Sequence, residues 1–404
     1  MEKNSRHKLR YYAIITTFYV ERRKLLVMER LTDIIARETF GESCKSRKYD
    51  LDNAEHEDTE HDSVKVWQKS AETSQRDKYI NLLSISKKLA SSSEQPLTYF
   101  LDGSRRVFKV DEIAYDISGR RVIYPLIAGQ IGIGCCKRTN RKLLPAKIKH
   151  EIVIALPDRI APNRINGFFQ SIKIKLNESP STARTRIEIA DVLHYNTSKD
   201  ITPEDSATAC IQSRMMEEEK KLTETISRKL NHNNYLIKDG SLEYRNDNRK
   251  LTNTTIQNYR WVIGISKNFN PEACKNAHGK ADHGYIADIP PYHRTQAACF
   301  TNPGIFGDIK FAVWYIRLHD KSRTRSAFDG IIKVEKILAT QEEQYSGTMN
   351  SDEIDTLSAY ILNERMPVCY GNDFRWANHI YPVYLTETYI KSKYLSTESF
   401  LHLF

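Results

Sequence analysis

The sequence has no run of about 18 apolar residues, the length that a helix needs to cross a membrane. Its longest apolar candidate, Val122 to Cys136, contains a proline and is interrupted by three glycines. The N-terminus, Met1 to Val20, is basic and then apolar, but it continues into charged residues without a clean small-residue cleavage site. We therefore expect neither a signal peptide nor a membrane-spanning segment, and we predict a cytoplasmic protein.

Cysteine is scarce, with 7 residues among 404, and the odd number favours free thiols in a reducing compartment over a disulfide framework. Cys135 and Cys136 are adjacent in an apolar stretch, which predicts buried thiols. One further group of possible soft ligands falls within 26 residues: Cys274, His278, His283, His293 and Cys299. Its spacing matches no standard zinc motif, and this favours an insertion loop without metal.

Nucleotide-binding and serine-hydrolase motifs are missing as well. The glycines at 129, 132 and 134 lack the Gly-Lys-Ser/Thr ending of a phosphate-binding loop. No Gly-x-Ser-x-Gly sequence and no set of kinase motifs occurs. We therefore do not expect this chain to hydrolyse ATP itself.

Basic residues outnumber acidic ones, 61 to 51, so the formal net charge is +10 and a polyanionic partner is permitted. Two basic clusters, Lys137 to Lys142 and Lys321 to Arg325, suit either phosphate contacts or solvated loops. Acidic residues concentrate between residues 41 and 63, where few apolar side chains occur. That composition predicts a mobile acidic loop.

Hydrophobic periodicity divides the chain into a helical N-terminal part, residues 1–95, and a strand-rich part, residues 96–404, with an insertion around 268–305. Short strands with turns at Ser118-Gly119 and Gly129 predict an antiparallel meander. Further strands are predicted at 150–156, 167–174, 235–237, 261–266 and 309–318, and helices at 8–40, 76–91, 205–230, 351–363 and 384–394. The fold class is α/β, with a mixed sheet flanked by helices and an N-terminal helical extension.

Two Asp-Gly-Ser triplets, which begin at Asp102 and Asp239, each follow a short apolar stretch. A carboxylate at a strand end is rigidly placed yet exposed, and the glycine after it allows a turn or the close approach of a ligand. Two such carboxylates on neighbouring strands suit a divalent metal ion. A simple hairpin turn is the alternative for each triplet.

The helix predicted over 205–230 adds a third acidic candidate. Glu219 falls inside its apolar stripe and Glu218 lies near the edge of that stripe. A carboxylate on a buried face is costly unless it is paired or binds a metal, whereas a frayed and solvated helix end is the alternative. Three acidic groups at one cleft suit two-metal phosphoryl chemistry, and the order meander, helix, strand is that of an RNase H-like core.

In these motifs the sequence resembles the NurA nucleases over roughly residues 97–394. The matching stretches are Phe100 to Ser104, the acidic helix around Glu218 and Glu219, Leu236 to Leu242, Val262 to Lys267, Trp314 to Leu318, Ile332 to Glu335 and Tyr381 to Leu385. The resemblance implies an RNase H-like fold and manganese-dependent exonuclease and endonuclease activity on DNA. It also implies a homodimer and a HerA-type hexameric ATPase as partner.

By motif match, the resemblance implies that Asp102, Glu219 (or Glu218) and Asp239 are ligands of Mn²⁺ or Mg²⁺. It also implies that Lys267 acts as a point charge near the scissile phosphate.

The last helix departs from the family pattern, because the usual histidine after the Tyr-Pro motif is missing. His379, just before the motif, is the first substitute and Glu387 the second. We predict a metal-dependent deoxyribonuclease; the alternative is a non-catalytic subunit that binds DNA or an ATPase ring.

Overall fold

The structure is a computed structural model. It describes residues 29–52, 69–92, 95–161, 165–197, 201–242, 252–271, 280–301, 309–367 and 376–404. The predicted helix before residue 29, the predicted acidic loop beyond residue 52, Cys274 and His278 lie outside the described residues.

Strands and helices alternate along the described chain. The strands are β1 (Glu42–Ser43), β2 (Tyr49–Asp50), β3 (Lys69–Ser70), β4 (Tyr79–Asn81), β5 (Leu97–Ile117), β6 (Arg120–Thr139), β7 (Lys142–Pro157), β8 (Ile189–Tyr195), β9 (Tyr235–Asp239), β10 (Val262–Ser266), β11 (His293–Thr295), β12 (Ala298–Thr301), β13 (Lys310–Arg317) and β14 (Ile331–Ile337). The helices are α1 (Leu31–Glu38), α2 (Leu83–Ala90), α3 (Ile165–Asn177), α4 (Pro180–Thr185), α5 (Pro203–Ser227), α6 (Thr252–Tyr259), α7 (His283–Ala287), α8 (Gln341–Ser346), α9 (Ser351–Asn363), α10 (Tyr381–Lys391) and α11 (Thr397–Leu401).

One mixed sheet joins all of these strands, in the main order β3-β12-β13-β14-β10-β9-β5-β6-β7-β8. Strand β9 runs parallel to both β5 and β10, and β8 runs parallel to β7, while the other neighbours are antiparallel. The predicted class, an α/β fold with a mixed sheet flanked by helices, is confirmed. No helix in the described part of the chain is both long enough and apolar enough to cross a membrane.

Strands β5, β6 and β7 are much longer than the short strands expected from the sequence. Ser118 and Gly119 form the predicted turn between β5 and β6, and both have positive φ, as a tight hairpin requires. The turn predicted at Gly129 is wrong, because this residue lies inside β6. A Cβ atom there would lie 3.1 Å from Ile211 of α5, so the glycine allows the helix to pack closely on the sheet.

Two local predictions are corrected by burial and capping. The strand predicted at 167–174 is part of α3, whose buried residues Phe169, Ile172 and Leu176 recur at helical spacing. The helix predicted over 76–91 begins only at Leu83, because the side chain of Asn81 accepts the Leu83 N–H at 2.9 Å and β4 precedes it.

The predicted N-terminal region contributes strands to the same sheet as the rest of the chain. Strands β1 and β2 lie within the predicted acidic loop but pair with β5, so the loop prediction is wrong for these residues. Their backbones gain sheet hydrogen bonds, and the Asp52 carboxylate accepts the Val107 N–H at 2.7 Å. Strands β3 and β4 likewise pair with β12 and β11.

The central strands β5 and β6 lie between two helices. Helix α5 covers one face, where Ile211 meets Gly129. Helix α10 covers the other face, where Ile390 fills the space beside Gly132 and Gly134. Because side chains alternate along a strand, successive residues of β5 point toward one helix and then the other. Cys135 and Cys136 are both buried in β6, as predicted.

Candidate metal centre

The two Asp-Gly-Ser triplets differ in their local structure. The predicted strand end at Asp239 is confirmed, since β9 ends there and Gly240 has φ +83°. The strand end predicted at Asp102 is wrong, because β5 continues through the triplet to Ile117 in pairing with β6. Parallel pairing places Leu101 opposite Lys238, and the two aspartates therefore lie on neighbouring strands.

Asp102 and Asp239 point toward the α10 side of the sheet. Asp102 lies opposite Gly134, the residue packed against Ile390 of α10. The Nζ atom of Lys267 lies 2.9 Å from Oδ2 of Asp239 and 3.6 Å from Oε2 of Glu387. Asp239, Lys267 and Glu387 thus form a chain of partly buried ion pairs that links the ends of β9 and β10 to helix α10.

Glu219 approaches from the other side of the sheet. Its carboxylate occupies the space that a side chain at Gly103 would need, and its Oε2 lies 3.3 Å from Nζ of Lys238. That ammonium group also donates to the backbone carbonyls of Asp239 and Ser241, at 2.7 and 3.1 Å. Lys238 therefore ties Glu219 to the turn that follows Asp239.

Glu218 points away from the triplets. Its carboxylate forms ion pairs with Lys149 at 2.5 Å, Lys221 at 2.7 Å and Arg214 at 3.4 Å. Burial alone would raise the pKa of Glu218, but these cations outweigh it and lower the pKa. Of the two glutamates that the sequence left open, the structure places Glu219 at the triplets.

The remaining sequence candidates come from the segment that begins helix α10. His379 is buried beside the ring of Tyr384, with 5.4 Å between ring centroids. Glu387, which ranked second from the sequence, is the α10 residue that pairs with Lys267. Asp102, Glu219, Asp239 and Glu387 are called the carboxylate cluster below.

Asp102 has the least compensated charge of the carboxylate cluster. Burial and the nearby charges of Asp239 and Glu387 raise its pKa well above the usual range, and Lys267 only partly opposes them. Its Oδ2 atom is buried and has no hydrogen-bond partner in the described residues. A buried carboxylate oxygen without a donor is costly unless a proton or a cation compensates it.

The donor chemistry of the carboxylate cluster fits a hard divalent cation, which prefers carboxylate oxygens. The unpartnered Asp102 oxygen supports the same fit. Lysines already contact Glu219, Asp239 and Glu387, and within the described ranges no three His, Cys, Asp or Glu side chains are spaced to hold a metal ion. Some side chains must therefore turn when a cation enters.

Two residues that support the site, Lys238 and Glu335, were not predicted from the sequence. Glu335 is fully buried and accepts hydrogen bonds from the Leu242 N–H at 2.8 Å and from the Ser241 hydroxyl at 2.9 Å, beside Lys333. Glu335 thereby fixes the turn after Asp239. The available signal was the presence of charged residues, Lys238 and Glu335, inside otherwise apolar strands.

Replacing Gly103 with Ala tests the close approach of Glu219. The new methyl group would overlap the Glu219 carboxylate, so we expect a loss of about 1–3 kcal/mol in the free energy of unfolding, measured in urea. Gly167→Ala is the matched control, because no atom lies within 4 Å of a Cβ there and α3 should become slightly more stable. Equal stability of Gly103→Ala and wild type would contradict this placement of Glu219.

Acid titration tests the ion pairs of Glu387. Burial favours its neutral form, but Lys267 and Lys391 outweigh burial and lower the pKa of Glu387 from 4.5 to about 2. The stabilisation is therefore complete above pH 4.5 and is lost as the pH falls toward 2. Urea unfolding should show Glu387→Gln about 2–3 kcal/mol less stable than wild type near neutral pH, with the difference shrinking in acid. Glu188→Gln, at an exposed position, should show no such trend, and a pH-independent difference for Glu387→Gln would refute the assignment.

No protein-family model matches the chain, and no curated protein matches it. Among solved structures, the crystal structure of the NurA nuclease from Sulfolobus solfataricus is similar, with 11% sequence identity and a TM-score of 0.40. The similarity covers 79% of this chain and 86% of that one. At this distance the similarity carries no argument about activity.

Proposed function

We propose that this chain is a metal-dependent deoxyribonuclease whose active site is the carboxylate cluster. The observation that carries the proposal is Asp102, a buried carboxylate with an unpartnered oxygen beside three further carboxylates. Such a concentration of negative charge in the interior favours binding of a divalent cation. The NurA-like order of the sequence motifs points to the same chemistry.

Asp102 and Asp239 on the α10 side of the sheet would hold Mn²⁺ or Mg²⁺, and Glu219 would join them when its side chain turns from the other side. Glu387 takes the place of the missing histidine in the last helix. When bound, the cation supplies Lewis-acid activation of the phosphodiester and of the attacking water. Lys238 and Glu335 keep the turn after Asp239 in position through their contacts with the backbone. Lys267 supplies a fixed positive charge beside the carboxylates.

The surface charge supports DNA as the substrate. Arg141, Lys142 and Lys147 are exposed around the turn between β6 and β7 and form no ion pair in the described residues. Cations of this kind contact phosphates without regard to base sequence. We also propose that the chain forms a homodimer and works with a HerA-type ATPase. The support for both is the resemblance of the sequence motifs.

The test is cleavage of end-labelled linear and closed circular DNA by the purified protein in Mn²⁺, Mg²⁺ or EDTA. We expect loss of linear DNA with either cation and none in EDTA, and the circular substrate shows whether an end is required. The assay is repeated with a candidate HerA-type ATPase. If the protein shows no metal-dependent cleavage, either alone or with the ATPase, the nuclease proposal fails. The alternative, a non-catalytic subunit that binds DNA or an ATPase ring, then replaces it.

A further inference from the structure

Lys267 occupies a position between two carboxylates of the cluster. Its ammonium group contacts Asp239 and Glu387, at 2.9 and 3.6 Å, and its side chain is only 12% exposed. In a site with two divalent cations, carboxylates on opposite sides hold the two ions about 4 Å apart. Here a protein cation already fills the space that links the β9 side of the site to α10.

The charge balance of the site favours a single divalent cation. When ionised, Asp102, Asp239 and Glu387 on the α10 side of the sheet carry −3 and Lys267 carries +1, so the sum is −3 + 1 = −2. Glu219 and Lys238 on the other side of the sheet cancel each other. One divalent ion neutralises this charge, whereas two would leave +2 inside the protein, at a large desolvation cost. Lys391 also pairs with Glu387, but its side chain is half exposed and its charge is screened by solvent.

Asp102 is the carboxylate that would gain most from a cation. Each of the other three carboxylates forms an ion pair with a lysine, whereas Oδ2 of Asp102 has no hydrogen-bond donor among the described residues. A cation therefore gains most by binding this oxygen, and it gains least between Asp239 and Glu387, where it would have to displace an ammonium group.

We propose, building on the nuclease function above, that each chain binds one divalent cation at Asp102 and that Lys267 takes the place of a second. This differs from the two-metal chemistry expected from the sequence. Under this proposal, the positive charge next to Asp239 and Glu387 belongs to the protein and stays there whatever the metal concentration.

The experiment is a count of tightly bound Mn²⁺ by equilibrium dialysis with electron paramagnetic resonance of the free ion. Wild type should bind one Mn²⁺ per chain, and Lys267→Met, which vacates the position and leaves more negative charge, should bind two. Lys391→Met is the matched control, because it removes another lysine from the same glutamate at the exposed side, and it should still bind one.

Two bound ions in wild type, no bound ion, or a single ion in folded Lys267→Met would overturn the proposal. Circular dichroism establishes folding of the variants, and Lys267→Gln replaces the Met variant if that one does not fold. The count separates this proposal from the nuclease proposal. One ion without DNA cleavage defeats only the nuclease function, and two ions with cleavage defeat only the role of Lys267.

Discussion

Replacing Asp102 with Asn should reduce metal-dependent DNA cleavage by about 10³-fold or more while leaving DNA binding intact. The amide keeps the shape of the side chain but removes the negative charge from a buried carboxylate whose Oδ2 has no donor in the described residues. Cleavage of end-labelled DNA and a gel-shift assay in EDTA measure the two properties separately. Asp116→Asn is the matched control, because it makes the same change at an exposed position of the same strand and should cleave normally.

The same substitution should make the metal-free protein more stable near neutral pH. Burial and the charges of Asp239 and Glu387 raise the pKa of Asp102, so the ionised form costs free energy that grows as the pH rises above the ordinary range of an aspartate. Asparagine cannot ionise and avoids this cost. Thermal unfolding should therefore give Asp102→Asn a higher Tm than wild type without metal, and Mn²⁺ should raise the Tm of wild type alone. A variant that cleaves DNA like wild type, or a lower Tm with loss of DNA binding, would contradict the role given to Asp102.

The elements that the sequence predicted well are those whose pattern is local. Helix α5 has buried residues at helical spacing, including Ile211, Met215, Leu222 and Ile226, and it folds where the periodicity indicates. Helix α9 and strands β9 and β10 are likewise defined by short, consistent apolar patterns. In such segments the neighbours in sequence determine which face is buried.

The length of β5 depends on its partner strand instead. Asp102, Gly103 and Ser104 are typical of a turn, but β6 pairs with the strand beyond them and helix α5 requires the glycine. The sequence around Asp102 carries no sign of this partner. The pairs of Lys238 with Glu219 and of Lys267 with Glu387 are equally nonlocal, so their part in the candidate site became visible only in the folded chain.

The sequence ranked His379 above Glu387 as the substitute for the missing histidine, and this ranking shows the same limit of local patterns. His379 precedes the Tyr-Pro motif and is a common metal ligand type, which favoured it from the sequence. The direction in which each residue of α10 points depends on how the helix packs on β5 and β6. Ile390 fills the space beside Gly132 and Gly134, and this packing brings Glu387 to Lys267.

Replacing Arg294 with Met should cause a large loss in the free energy of unfolding. Arg294 has no exposed surface, and its guanidinium donates to Glu72 at 2.7 and 3.1 Å and to Asp355 at 2.7 Å. The variant leaves two buried carboxylates without their main partner, which costs about 3–5 kcal/mol. Arg121→Met, which breaks an exposed pair with Glu42, should leave the unfolding midpoint in urea unchanged.

These contacts also join two parts of the chain that the sequence assigned to different regions, since Glu72 lies before residue 95 and the other two partners lie after it. If the two parts fold together, Arg294→Met should shift a single unfolding transition to lower urea without splitting it. Combining Arg294→Met with Glu72→Met and Asp355→Leu removes the uncompensated charges and should restore much of the lost stability. A loss below about 1 kcal/mol for Arg294→Met, or a separate early transition, would show that residues 69–92 do not depend on this buried ion pair.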